Sequence, residues 1–253
     1  MSVPTIIKDL LERGVHFGHL SKHWDPKMKK FIFGKKKNLY IIDLQKTAGK
    51  LEEAKDFVRK VALKGGCILF VATKKHFKDT IEKLASSCGM PYLVERWIGG
   101  FLTNFVTVNS RIKKYVQLKE KREKGELDNL PTKELLRLNR ELDKMHRNYR
   151  GVVSLDKLPD CLYIVDTKRE SAAVREAKKL NIPIVAIVDT DSDPDIIDYP
   201  IPGNDDAIKS VGFLTSCIVE AINQGLEEGG YKKKETKIEE VRENSLQEEE
   251  TKQ

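Results

Sequence analysis

Five short runs of consecutive apolar residues, rich in β-branched side chains, constrain the fold of this chain more than anything else in it. They fall at residues 39–44 (LYIIDL), 67–73 (CILFVAT), 91–97 (PYLVERW), 161–166 (CLYIVD) and 182–189 (IPIVAIVD). A strand with one face in water alternates apolar and polar residues, whereas a run apolar at successive positions needs cover on both faces. Such strands belong to a parallel sheet with helices on either side. Helix-period patterns at 47–63, 75–87, 169–180 and 205–224 supply that cover. The succession predicts right-handed crossovers and a doubly wound α/β body.

The alternation stops at residues 103–150, where no strand signal occurs. Leu135, Leu138, Leu142, Met145 and Tyr149 recur at spacings of three and four, which places them on one helix seam. Val108, Ile112, Tyr115 and Leu118 nearly repeat the pattern on the preceding segment. Between the two, Gly125 can end one helix, Pro131 blocks its continuation and Thr132 can cap the next. An antiparallel helical hairpin, packed as a coiled coil, is therefore expected to be inserted in the body. The domain reading is an α/β body over 1–102 and 151–228, the hairpin over 103–150, and a charged tail over 229–253. Residues 232–253 hold six basic and seven acidic side chains and little to bury, so that tail is expected to be disordered.

At 253 residues and 40% hydrophobic content the chain can bury a sizeable core. Its 46 Lys and Arg against 39 Asp and Glu leave a net charge of +7, which favours a polyanionic partner. Four separated cysteines, Cys67, Cys88, Cys161 and Cys217, form no C-x-x-C pair and read as reduced thiols. No run approaches the ~20 apolar residues of a membrane span, so a cytoplasmic protein is expected.

Charge is most concentrated in the N-terminal arm. Lys22, Lys27, Lys29, Lys30, Lys35, Lys36 and Lys37 face a single acid, Asp25, with Trp24, Phe31 and Phe33 interleaved. Lysines that meet phosphates release counterions, and aromatic rings either stack on exposed bases or pin the arm to its own domain. The bland alternative is a solvated loop whose rings are satellite core. The lysines as a group point to RNA. Lys27, Lys29, Lys30, Lys35, Lys36 and Lys37 are the expected electrostatic anchors, with Lys22 and Trp24 beside them. Arg111 and Lys114 on the hairpin, Asn104 at its base and Arg96 as a phosphate clamp support them.

The segment GVHFGH at 14–19, followed by WDPKMKKFIFGKKKNLYIIDLQKT, resembles the N-terminal signature of the family of the second protein of the small ribosomal subunit. ERWIGGFLTNF at 95–105 is similar to that family's central motif, and residues 158–208 to its C-terminal block. Ordered blocks covering nearly the whole folded part are more specific than any short motif. The resemblance implies a flavodoxin-like body with a protruding hairpin, on the solvent side of the small subunit near the junction of head and body. It further implies contacts with small-subunit ribosomal RNA and neighbouring small-subunit proteins. In some bacteria it also implies docking of the large multi-domain RNA-binding protein that recruits messenger RNA. No cofactor and no small-molecule substrate is implied.

An α/β enzyme acting on a nucleotide or phosphate ester is the competing class, because Asp166 and Asp189 end predicted strands where doubly wound folds place active sites. The chain has no G-x-G-x-x-G after its first strand, no phosphate-binding P-loop and no G-x-S-x-G elbow. Gly99 and Gly100 could cradle a phosphate, of RNA as readily as of a nucleotide. Capping and turns account for Asp166 and Asp189. A third class is a protein-interaction module built on the hairpin. The acidic run from Asp189 to Asp195 lacks the glycine and glutamate of a calcium loop. Asp189, Asp191 and Asp205 or Asp206 could instead converge on one divalent cation. His16, His19 and His23 do not complete a tetrahedral zinc set, and their imidazoles are expected to donate to backbone or RNA.

Overall fold

The structure, a computed structural model, describes residues 3–127 and 131–231. Five strands form an all-parallel sheet: β4 (Ile68–Val71), β5 (Tyr92–Leu93), β6 (Cys161–Val165), β7 (Ile184–Val188) and β8 (Tyr199–Pro202), in the order β5-β4-β6-β7-β8. Counted from β4, that order is 2-1-3-4-5, the arrangement of flavodoxin-like sheets. The continuous apolar character of β4, β6 and β7 follows from their position, since every residue of all three is buried.

The two faces of the sheet carry separate cores. On one, Ile68, Phe70, Tyr163 and Ile187 pack against α1 (Val3–Glu12), α2 (Leu44–Leu63), α3 (Lys78–Ser87) and α7 (Ile208–Glu228). On the other, Leu69, Val71, Leu162, Ile164 and Ala186 meet α6 (Ser171–Lys179), the root of the hairpin and its connections. Residues adjacent in a strand thus go to opposite cores, as a period of two requires. Helices α2 and α7 approach so closely that a Cβ on Gly225 would lie 2.4 Å from the Arg59 carbonyl oxygen, so only glycine fits there.

Several sequence expectations need correction. The run at 39–44 forms β3 (Leu39–Ile42), which lies outside the parallel sheet, at the centre of a small antiparallel one with β1 (Phe17–Leu20) and β2 (Ile32–Lys36). The run at 91–97 contributes only the two residues of β5. The fifth parallel strand is β8, which the sequence reading did not assign; its Pro200 and Pro202 are tolerated because β8 is at the sheet edge. Helix α1 carried no prediction.

The hairpin is present as α4 (Phe105–Glu123) and α5 (Thr132–Tyr149). Val108, Ile112, Tyr115, Leu142 and Tyr149 are buried along its seam. Gly125 ends α4 with φ of +70°. Thr132, expected as a cap, is the first helical residue; Pro131 holds the cap position and makes no side-chain cap bond. The expectation of disorder beyond Tyr231 falls outside the described residues.

Candidate nucleic-acid interface

The basic arm is folded onto the body before any partner arrives. Pro26–Phe31 makes a 3-10 turn capped by the Asp25 carboxylate, and buried Met28 and Phe31 pin it to the core. Lys27 and Lys30 point to a neighbouring acidic loop, with Nζ 2.5 Å from Asp193 Oδ2 and Asp195 Oδ1 respectively. Two of the six principal anchors therefore already have carboxylate partners. Lys22, Lys29, Lys35, Lys36 and Lys37 are exposed and form no ion pair among the described residues. Trp24 is half-buried with its ring 4.8 Å from that of Tyr40, and Phe31 is buried in the core. Phe33 is 79% exposed.

At the hairpin, Arg111 is exposed without a carboxylate partner among the described residues, whereas Lys114 pairs with Glu141 on the facing helix at 2.7 Å. That pairing holds the Glu141 carboxyl below its usual range. Asn104 precedes α4 and accepts a hydrogen bond from Thr107 Oγ1. Arg96 is exposed and unpaired among the described residues, because its neighbour Glu95 is taken by Lys78 at 2.6 Å.

The glycine turn at Gly99 and Gly100, which could cradle a phosphate, holds one of the chain's own carboxylates. Glu176 of α6 accepts from the backbone N–H of Gly100, Leu102 and Thr103, from Thr103 Oγ1 and from Trp97 Nε1, at 2.8–3.2 Å. Burial pushes this carboxyl upward, yet the donors hold it below the ordinary range. Gly100, at φ of +81°, makes the turn that aims them. An anion nest is thus present, but its donors are taken by Glu176, which seats the base of the hairpin. Sequence gave no sign of this, since Glu176 lies more than seventy residues from its donors.

The third cluster lies beyond the carboxyl ends of β4, β6 and β7, where doubly wound folds bind ligands. Here the crevice is filled by Lys74, whose Nζ lies 2.9 Å from Asp166, 3.0 Å from Asp205 and 2.8 Å from Asp206. His19, from β1, sits between Asp189 at 3.1 Å and Asp206 at 3.3 Å. The Asp189 contact is off-axis for a hydrogen bond, so charge is its main content. It raises the His19 pKa to about 9 against the opposing effect of burial. Burial and the charges of Asp189 and Asp166 push Asp205 up to about 7 despite Lys74. Within the chain the His19 ring thus faces carboxylates, not backbone.

The expected cation set is also revised. Asp191 turns away to pair with Lys168 at 2.9 Å. Ligand atoms of His19, Asp205 and Asp206 instead lie within 4.8 Å of one another. Lys74 already supplies positive charge to two of those three. A crevice lined by this many carboxylates suits a cation better than a phosphorylated substrate. Among the described residues no helix is long and apolar enough to cross a membrane.

Comparison with known proteins agrees with this geometry. The family model described as ribosomal protein S2 matches residues 10–225. The small ribosomal subunit protein uS2 of Coprothermobacter proteolyticus is 52% identical over 90% of this chain and 84% of its own length. Those of Dictyoglomus thermophilum and Dictyoglomus turgidum are 54% and 53% identical, each over 87% of this chain and 89% of their own. A family match that runs from α1 almost to the end of α7 spans both cores, the basic arm and the hairpin, and on that ground the chain belongs to the ribosomal protein S2 family.

Proposed function

We propose that this chain is a structural constituent of the small ribosomal subunit, without turnover, that binds ribosomal RNA through its basic arm and the hairpin. The observation that carries the reading is the set of lysines left unpaired on a pre-folded arm, Lys22, Lys29, Lys35, Lys36 and Lys37. An arm already fixed by Met28 and Phe31 loses little further entropy on docking. Arg111, Arg96 and Asn104 extend the surface toward the hairpin. Lys27, Lys30 and Lys114 join it by exchanging partly or fully exposed carboxylates for phosphates, an exchange that gives up little because solvent-accessible ion pairs are weak.

The hairpin seam, with buried Ile112, Tyr115 and Leu142, supports a short coiled coil. The same surface would meet neighbouring small-subunit proteins and, where the organism has it, the large messenger-recruiting RNA-binding protein. We further propose the body, hairpin and tail as separate units with the bounds 1–102 with 151–228, 103–150 and 229–253. The functional reading requires no metal; the ligand atoms that converge closely enough to hold a divalent ion are those of His19, Asp205 and Asp206.

Sucrose-gradient fractionation of host lysate, with detection of this chain at low and high salt, tests the assignment. Co-migration with small subunits and whole ribosomes, released only by high salt, is expected. Persistence at the top of the gradient at every salt concentration would overturn it.

A further inference from the structure

Among the described residues Phe33 has no ring or cation partner to explain it. Of the Phe, Tyr and Trp side chains among the described residues it is the most exposed, at 79%, and no ring or cation stacks on it. Its position is built rather than incidental. The ladder between β2 and β3 steps from Ile32 to Gly34 on one strand while stepping only from Ile42 to Ile41 on the other, so Phe33 is the inserted residue of a bulge. Bulges are used to re-aim a side chain. The other rings of the arm are accounted for, Phe31 by burial and Trp24 by Tyr40. Gly34 beside it has no atom near its open Cβ position, so the strand is accessible there.

Lys35, Lys36 and Lys37 follow immediately, all exposed and without a carboxylate partner among the described residues. Lysines on an edge strand can serve simply to prevent strand pairing between molecules. That role accounts for the lysines and not for the ring, since an exposed phenylalanine on an edge invites association. A ring and three ammonium groups without carboxylate partners, one of them Lys35 over the Tyr40 ring at 6.0 Å, within five residues fit a ligand that offers a flat π face beside negative charge, which is a nucleotide. A purely apolar protein pocket would accept the ring but not the lysines.

We infer that Phe33 stacks on an unpaired base of small-subunit ribosomal RNA while Lys35, Lys36 and Lys37 neutralise the phosphates on either side of it. The inference rests on the functional reading above and adds to it a base-contacting residue. Base–aromatic stacking tolerates any sequence, and its loss by alanine substitution weakens binding by roughly 5- to 150-fold.

The test is filter binding of the full chain to deproteinised small-subunit ribosomal RNA at several salt concentrations. Phe33→Ala should weaken binding about tenfold with an unchanged salt dependence, because no charge is lost. Phe33→Trp should restore it, and Phe33→Leu, which keeps apolar bulk without a ring, should stay close to Phe33→Ala. The thermal midpoint of each variant, measured alongside, should match the parent protein, since the side chain is not buried. If the parent chain shows no salt-dependent binding, the functional reading fails and this inference with it. If the parent binds and Phe33→Ala binds within twofold of it, RNA binding stands and the stacking is overturned. A Phe33→Leu variant that binds like the parent, with Phe33→Ala weakened, would also overturn stacking, in favour of an apolar contact.

Discussion

Lys74 shows how one residue can close a site that the fold leaves open. The crevice beyond β4 and β6 is the usual ligand position of this sheet order, and here one half-buried ammonium is shared among Asp166, Asp205 and Asp206. Removing it would leave those carboxylates, two of them nearly buried, without their cation. Lys74→Met should therefore cost about 3 kcal/mol in urea unfolding, and Asp205→Asn in that background should recover part of the loss. A loss below ~1 kcal/mol would mean that water, not Lys74, satisfies the acids. The same cluster sets a pH dependence. His19 titrates at about 9 in the fold against 6.5 ordinarily, so its stabilisation is complete below pH 6.5 and disappears as pH rises through 9. Asp205, at about 7 against 3.8, holds its proton more tightly folded than unfolded, so it too makes stability fall as pH rises from about 4 to 7. The thermal midpoint, followed with chelator present, should decline between pH 6.5 and 9, and His19→Asn should flatten that decline. An identical slope in the variant would remove His19 from the account.

Among the elements, the hairpin depends on a contact outside itself. Five donors at its base converge on Glu176 of α6, and Arg150 at its other end pairs with Glu82 of α3 at 2.5 Å. Glu176→Ala leaves partly buried N–H groups unsatisfied and should cost about 3 kcal/mol. Amide exchange at Gly100, Leu102 and Thr103 should accelerate, while amides of β6 and β7 keep their protection until global unfolding. Uniform acceleration across the sheet would show that the seat is not a local unit. This contact also marks where the sequence stops being informative. The helices of the hairpin were readable because Val108, Ile112 and Tyr115 repeat at a local period, but the acid that seats them is on a different element and follows no period. The parallel strands β4, β6 and β7 were readable because burial on both faces leaves continuous apolar runs. LYIIDL has the same character, yet it became β3 of an antiparallel sheet, because a run alone does not specify its partner. Strand β8 was missed because Pro200 and Pro202 count against a strand everywhere except at an edge, and which strand is the edge is decided by topology. Of the site, the lysines were legible as composition, while their division into paired and free awaited the acidic loop at Asp193 and Asp195.

Over the whole molecule, the excess of +7 matters less than its placement. Acidic groups gather beyond the carboxyl ends of the sheet, where Lys74, His19 and Lys168 answer them. The free lysines lie on the antiparallel sheet and the turn before it. A chain arranged in this way should bind a polyanion with a salt dependence set by its unpaired cations, not by its total charge. Each phosphate contact contributes about 0.7–0.9 to the slope of log affinity against log salt. Replacing Lys35, Lys36 and Lys37 together by glutamine should therefore lower that slope on ribosomal RNA by about two to three. Replacing Lys27 and Lys30 should lower it by less per residue, because Asp193 and Asp195 already neutralise them and binding must first give up those pairs. The two sets of variants, titrated against the same RNA, separate the possibilities. Equal slopes per lysine would show that the pairs open fully on the RNA and the whole arm engages. A large change for Lys35–Lys37 with little for Lys27 and Lys30 would show that the turn stays locked to the body and the hairpin of β2 and β3 makes the contact.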